Sequence, residues 1–214
     1  MAKALLGSPL QDIRGGLGNL VITMRKGKAI IGQKPTYRKS LSPRQREMAT
    51  YFGQARVIWN NLSQEEGREW GDAAVRLGLI GYTYFMSLTT KFLQVTPDGT
   101  PPSLPPGSRY MGDDIFYSTA AAPGGIEYTA TGPNIPPTCT ELLIEKLASK
   151  HRKPAQRWQS VGFVSFTAED PAITVALAPG YYATATRFVN TATGQMTDWQ
   201  WGETVTVGER LGDR

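Results

Sequence analysis

The 214-residue chain has one cysteine, Cys139, and one histidine, His151. A single thiol excludes an intramolecular disulfide and any metal cluster built from several cysteines of one chain. The imidazole sits in the basic run Lys150-His151-Arg152-Lys153, which reads as a solvated turn rather than the base of a catalytic constellation. No window approaches the roughly 18 apolar residues of a membrane-crossing helix. The opening MAKALLGSPLQDIRGG has no long apolar core of a secretory signal. A protein made in a reducing compartment, neither exported by a standard signal nor membrane-spanning, is expected.

Charged residues are also few, at 19%, whereas 40% of the chain is hydrophobic, with seven Phe, nine Tyr and five Trp. Such a composition buries a core rather than staying disordered. The formal charge of +5 conceals an asymmetry. Residues 1–95 carry 14 basic against 6 acidic side chains, and residues 96–214 carry 9 against 12. Within 3–46 there are ten basic residues and one acidic residue, Asp12.

The stretch 96–109, TPDGTPPSLPPGSR, places five prolines in 14 residues. Proline supplies no amide donor and fixes its own φ, so neither a helix nor an inner strand continues through it. It is expected to be a linker. Before it, a basic arm with a β-hairpin is expected over 1–41 and a helical bundle over 42–95. After it, an all-β domain is expected over 110–214.

In the arm, LVITM (20–24) and AIIG (29–32) flank Arg25-Lys26-Gly27-Lys28, the pattern of a hairpin with a cationic tip. The glycines of RGGLGN (14–19) lack the strand, helix and Gly-Lys-Ser/Thr ending of a phosphate-binding loop. Ser42, Pro43 and Gln45 mark a helix start with a capping box. Met48, Tyr51, Phe52, Ala55, Ile58, Trp59 and Leu62 then recur at spacings of three and four, predicting one buried face over about five turns. Ser63 and Glu66 repeat the capping box, with Trp70, Ala73, Ala74 and Leu77 as the next apolar stripe and Gly78 as its end. Tyr82, Phe85, Leu88 and Phe92 predict a third helix to about Leu93.

Beyond 110 the period changes. IFYSTA (115–120), GIEYTATG (125–132), TELLIEKLAS (140–149), RWQSVGFVSF (157–166), AITVAL (172–177), YYATATRFVN (181–190) and MTDWQWGETVTV (196–207) are seven strand-like runs between turn residues. Seven short strands in about a hundred residues suggest an antiparallel β-sandwich, so the fold class expected is two-part α+β.

LAPGYYATATRFVN (177–190), followed by a Gly turn and a Trp-bearing strand, resembles the last two strands of a fibronectin type III or related immunoglobulin-like domain. Tyr182, Arg187, Asn190, Gly194, Thr197 and Trp199 occupy the places that the resemblance implies, and Tyr182 would be the structural tyrosine of the corner. The N-terminal half resembles an uncharacterised group of small proteins of bacterial and prophage-like genomes. It does so through Gly15, Gly18, Asn19, Arg25, Lys26, Gly27, Pro43, Gln45, Trp59, Trp70, Gly81, Tyr82 and Phe85. Trp59-Asn-Asn-Leu-Ser-Gln-Glu-Glu with Trp70, Ala73 and Ala74 is similar to the turn between the second and third helices of HMG-box DNA benders, without that family's Pro-rich first-helix start.

No catalytic, cofactor or metal site is expected. Cys139 reads as a buried small hydrophobe or inert loop thiol. Asp113-Asp114 and Glu169-Asp170 could chelate Ca²⁺ but lack EF-hand spacing. The most pointed feature is the basic arm, Lys3, Arg14, Arg25, Lys26, Lys28, Lys34, Arg38, Lys39, Arg44 and Arg46, suited to nucleic-acid phosphates or an acidic protein surface. With the prophage-like resemblance, this favours a non-enzymatic bacteriophage virion component in minor capsid, vertex or decoration position. Its partners would be other virion proteins, copies of itself and nucleic acid, with no small-molecule substrate. Two alternatives are a non-sequence-specific DNA-binding protein with an oligomerising β domain, and a tail or spike adhesion component whose ligand-facing aromatics would be Trp199 and Trp201.

Overall fold

A computed structural model of the chain describes residues 2–4, 15–17, 20–25, 28–33, 40–155 and 157–208. The chain divides into two compact units, Met1–Arg46 and Glu47–Arg214.

The first unit contains four antiparallel strands, β1 (Ala2–Ala4), β2 (Gly15–Leu17), β3 (Leu20–Arg25) and β4 (Lys28–Gln33), in the order β1-β4-β3-β2. The β-branched runs form the expected hairpin. Arg25 pairs with Lys28, leaving Lys26-Gly27 as a two-residue connection, a length favoured for twisted antiparallel pairs. β1 and β2 have three residues each, too short for an alternation to show, and no strand was expected at either.

The second unit holds the first helix from Glu47 onward, two further helices and seven strands. These helices are α1 (Pro43–Asn61), α2 (Gln64–Val75) and α3 (Gly81–Val95), and the first two begin where local chemistry dictates. Ser42 N–H donates to Gln45 Oε1 at 3.0 Å and Gln45 N–H to Ser42 Oγ at 3.2 Å. Ser63 and Glu66 form the same reciprocal pair at 2.7 and 3.2 Å. Each satisfies orphan donors of a first turn. Gly78 closes α2 in the left-handed region (φ +67°), with Leu79 N–H reaching back to the Ala74 carbonyl and Gly78 N–H to that of Val75, the paired bonds of a Schellman cap.

The helical core gathers Ala55, Trp70, Phe85, Met86, Leu88, Phe92 and Leu93. Phe85 is its centre, with its ring 5.2 Å from Trp59 and 5.0 Å from Trp70. The uniform apolar stripe expected on α1 is not seen. Met48 is 36% and Phe52 49% exposed, because residues 43–50 are exposed throughout and full burial begins at Ala55. Leu77, 57% exposed, lies past the end of α2 in its cap rather than on the buried stripe.

All seven strand-like runs are strands: β5 (Tyr117–Ala122), β6 (Gly125–Ala130), β7 (Thr138–Leu147), β8 (Gln159–Val164), β9 (Ala172–Ala176), β10 (Gly180–Asn190) and β11 (Gln200–Val207). They form two antiparallel sheets, β5-β6-β9 and β11-β10-β7-β8. Ile126, Tyr128 and Ala130 of β6 meet Leu142 and Ile144 of β7, Tyr182 of β10 and Val205 and Val207 of β11, with Phe166, in one apolar core. The period-two spacing of these residues is what one buried sheet face requires.

β7 and β10 depart from simple alternation. Glu141, Leu143 and Glu145 point away from that core, yet are as buried as Leu142 and Ile144. α3 covers part of this second face, and Glu47–Arg214 is one compact unit, so the proline-rich 96–109 stretch does not separate compact units. Its residues are instead tied down: Trp70 Nε1–H donates to the Ser103 carbonyl at 2.7 Å, and Gln195 Nε2–H to that of Ser108 at 2.8 Å. Gly194 (φ +74°) lies so close to α3 that a Cβ there would run into the Leu88 carbonyl. Among the described residues, no helix is long and apolar enough to cross a membrane.

Candidate functional site

Three charged side chains far apart in sequence converge where α3 meets the four-stranded sheet. β7 presents Glu141, β10 presents Arg187 directly opposite it in register, and β8 places Phe163 beside Glu141. α3 brings Lys91 onto this row, a residue only 7% exposed. Lys91 Nζ donates to both Glu141 oxygens at 3.0 and 3.1 Å and to Gln94 Oε1 at 2.9 Å. Arg187 Nε–H donates to Glu141 Oε2 at 2.7 Å.

Glu141 is 1% exposed. Burial by itself raises its pKa, but Lys91 and Arg187 outweigh that effect and hold the carboxyl below its ordinary value. Lys91 and Arg187 share this carboxylate, and each also lies beside an aromatic ring. Lys91 Nζ lies 5.1 Å from the Phe163 ring centroid and the Arg187 guanidinium 5.8 Å from that of Trp199, within cation–π range. Trp158 then packs edge-on against Trp199 and Trp201, at 5.4 and 5.1 Å. Next along the same face, Glu145 accepts the backbone N–H groups of Ala155 and Arg157, both at 2.9 Å, and so anchors the β7–β8 connection.

This cluster fastens elements together: every hydrogen-bonding atom of the Glu141 carboxylate is engaged by Lys91 and Arg187. Glu141 and Glu145 were not singled out from sequence, although two acids four apart in the apolar strand TELLIEKL signal one polar row on an otherwise buried surface. Lys91 carried no signal, being one lysine in an apolar helix.

The structure brings only some of the expected basic residues together. Arg25 and Lys28 are partners in the β3–β4 register, and Lys3 lies on β1, which pairs with β4. Arg44 and Arg46 are exposed in the first turn of α1. Arg14, Lys26, Lys34, Arg38 and Lys39 lie outside the described residues.

The remaining candidates have local roles. Cys139 is buried in β7, and burial, assisted by Glu141, pushes its thiol up to about 12. Asp113 Oδ2 accepts from the Ile135 N–H at 2.9 Å and Asn134 Nδ2–H at 3.2 Å. Asp170 closes a turn with Thr167. Among the described residues, no three His, Cys, Asp or Glu side chains group as metal ligands. His151 is exposed in a turn. Tyr182 Oη–H donates to the Ala178 carbonyl at 2.9 Å. Asn190 Oδ1 accepts from Ala192 and Thr193 N–H at 2.9 and 3.0 Å.

No family model matches the chain, and no curated protein does. Among solved structures it is similar to a chain of entomopoxvirus fusolin, described in connection with the enhancement of virulence and in vivo crystallization into viral spindles. The identity is 8% and the TM-score 0.28, covering 80% of this chain and 68% of that one, a likeness too slight to carry an argument.

Proposed function

We propose that this chain is a non-enzymatic structural protein of a bacteriophage particle, in which the basic unit docks on an anionic partner and the larger unit supplies a rigid body for contacts with neighbouring subunits. The carrying observation is the charge partition between compact units. Met1–Arg46 holds ten basic residues against one acidic, net +9, whereas Glu47–Arg214 holds 13 against 17, net −4. Opposite charges segregated on one chain favour oriented association, both with copies of itself and with other anionic surfaces. The larger unit is read as an immunoglobulin-like sandwich of the fibronectin type III kind. Support comes from its three- and four-stranded sheets, whose order is first-second-fifth and seventh-sixth-third-fourth, and from the backbone-bound corner hydroxyl of Tyr182.

A second reading, sequence-independent nucleic-acid binding, draws on the same basic unit. A third, adhesion, draws on Trp201, 55% exposed beside Trp158. The test compares the intact chain with an Arg25→Ser, Lys26→Ser, Lys28→Ser variant by light scattering and by random-duplex binding across a salt series. A defined multimer that the variant loses, without duplex binding, is expected. Duplex affinity falling with salt at about 0.9 log units per phosphate contact would favour the nucleic-acid reading instead. A salt-independent monomer with neither behaviour would refute the assembly role.

A further inference from the structure

β5 and β11 are the edge strands of their two sheets, and a cavity of about 310 Å³ opens where they approach each other. Tyr117 and Thr119 line it from β5, Thr184 and Thr186 from β10, and Gln200 and Gly202 from β11. A Cβ at Gly202 would collide with the Thr184 hydroxyl, so glycine is what keeps this wall open. The irregular pairing of β10 with β11 between Ala183 and Ala185 places Glu203 so that its carbonyl accepts from Thr184 Oγ1 at 2.9 Å.

The lining polar groups fall into two sets. Thr184 and Thr119 are engaged with each other, their hydroxyls 3.2 Å apart, and the Tyr117 hydroxyl is shared with Thr140 at 2.5 Å. Thr186 is different. It is only 3% exposed, it lines the cavity, and its hydroxyl makes no hydrogen bond to any described residue. The half-buried Gln200, paired with Thr186 across the strands, likewise leaves its side-chain amide unpaired by protein. Both groups therefore have hydrogen-bonding capacity that a molecule in the cavity can use.

We propose that this seam cavity binds a neutral, hydroxyl-rich ring, the chemistry of a sugar unit. The Thr186 hydroxyl and Gln200 amide together donate to and accept from hydroxyls, and the Tyr117 ring offers an apolar wall to the C–H face of a pyranose. No Lys, Arg, Asp or Glu lines the cavity, so a charged ligand would be left uncompensated. The volume, at the small end of ligand pockets, suits one ring rather than several. The ring could be a free monosaccharide or the terminal unit of a glycan. The inference does not depend on the particle role above.

The test is saturation-transfer NMR on the intact chain with glucose, galactose, mannose and N-acetylglucosamine. Glucuronate serves as the charged comparator, and a neutral hexasaccharide forms a separate arm. At least one neutral sugar should bind at millimolar concentration while glucuronate does not. Thr186→Val and Gln200→Leu should each weaken binding about three- to tenfold. Tighter binding of the hexasaccharide than of its monomer identifies a glycan end as the source, and equal binding identifies the free sugar. Three results would overturn the assignment: no transfer from any neutral sugar, equal transfer from glucuronate, or full binding in both variants. If Thr186→Val does not fold, Gln200→Leu at the half-buried position decides by itself.

Discussion

Replacing Glu141 by Gln removes the buried carboxylate that Lys91 and Arg187 share. Lys91 keeps Gln94 and the Phe163 ring, and Arg187 keeps the Trp199 ring, but both lose the carboxylate they share. Breaking a buried pair from one side costs about 3–5 kcal/mol, since the remaining charge stays desolvated. With an m-value of about 2 kcal/mol/M, the urea midpoint should fall by roughly 2 M. Lys91→Met should cost less, because Glu141 keeps Arg187 at 2.7 Å. The double variant should lose less than the sum of the two. The pH dependence gives an independent check. The folded carboxyl binds its proton less tightly than the unfolded one, whose ordinary value is 4.5. The stabilisation is therefore present above that value and lost as pH falls through the lower folded pKa. Glu141→Gln should remove this part of the acid limb. A variant with the parental midpoint, or with an unchanged acid limb, would refute the claim that this carboxylate fastens α3 to the sheet.

Two further outcomes follow from the same interface. Gly194→Ala combines a left-handed backbone (φ +74°) with a Cβ directed into the Leu88 carbonyl, so it should lower stability by more than about 1 kcal/mol; a thermal melt matching the parent would contradict the close approach of α3. Cys139, buried and with its thiol pushed up to about 12, should resist alkylation at pH 8 in the folded protein and react once urea unfolds it, and rapid native-state labelling would place it elsewhere.

By itself, the sequence determined whatever depends on neighbours along the chain. The starts of α1 and α2 were legible because a capping box closes within three residues. The seven strands were legible because one buried face imposes period two, and the cationic hairpin because a Gly-containing pair can join twisted strands. Tertiary structure decided where burial stops and what meets what. Met48 and Phe52 fit the apolar period of α1 as well as Ala55 does, yet only contact with α2 and α3 determines which of them leaves water. A proline-rich segment predicts that regular structure ends, not that two bodies separate, because its carbonyls remain free to accept from Trp70 and Gln195. The Lys91–Glu141–Arg187 row joins residues 50 and 46 positions apart, and no local pattern records such a pairing. It exists because folding lays α3 across two strands that are already buried on their other side.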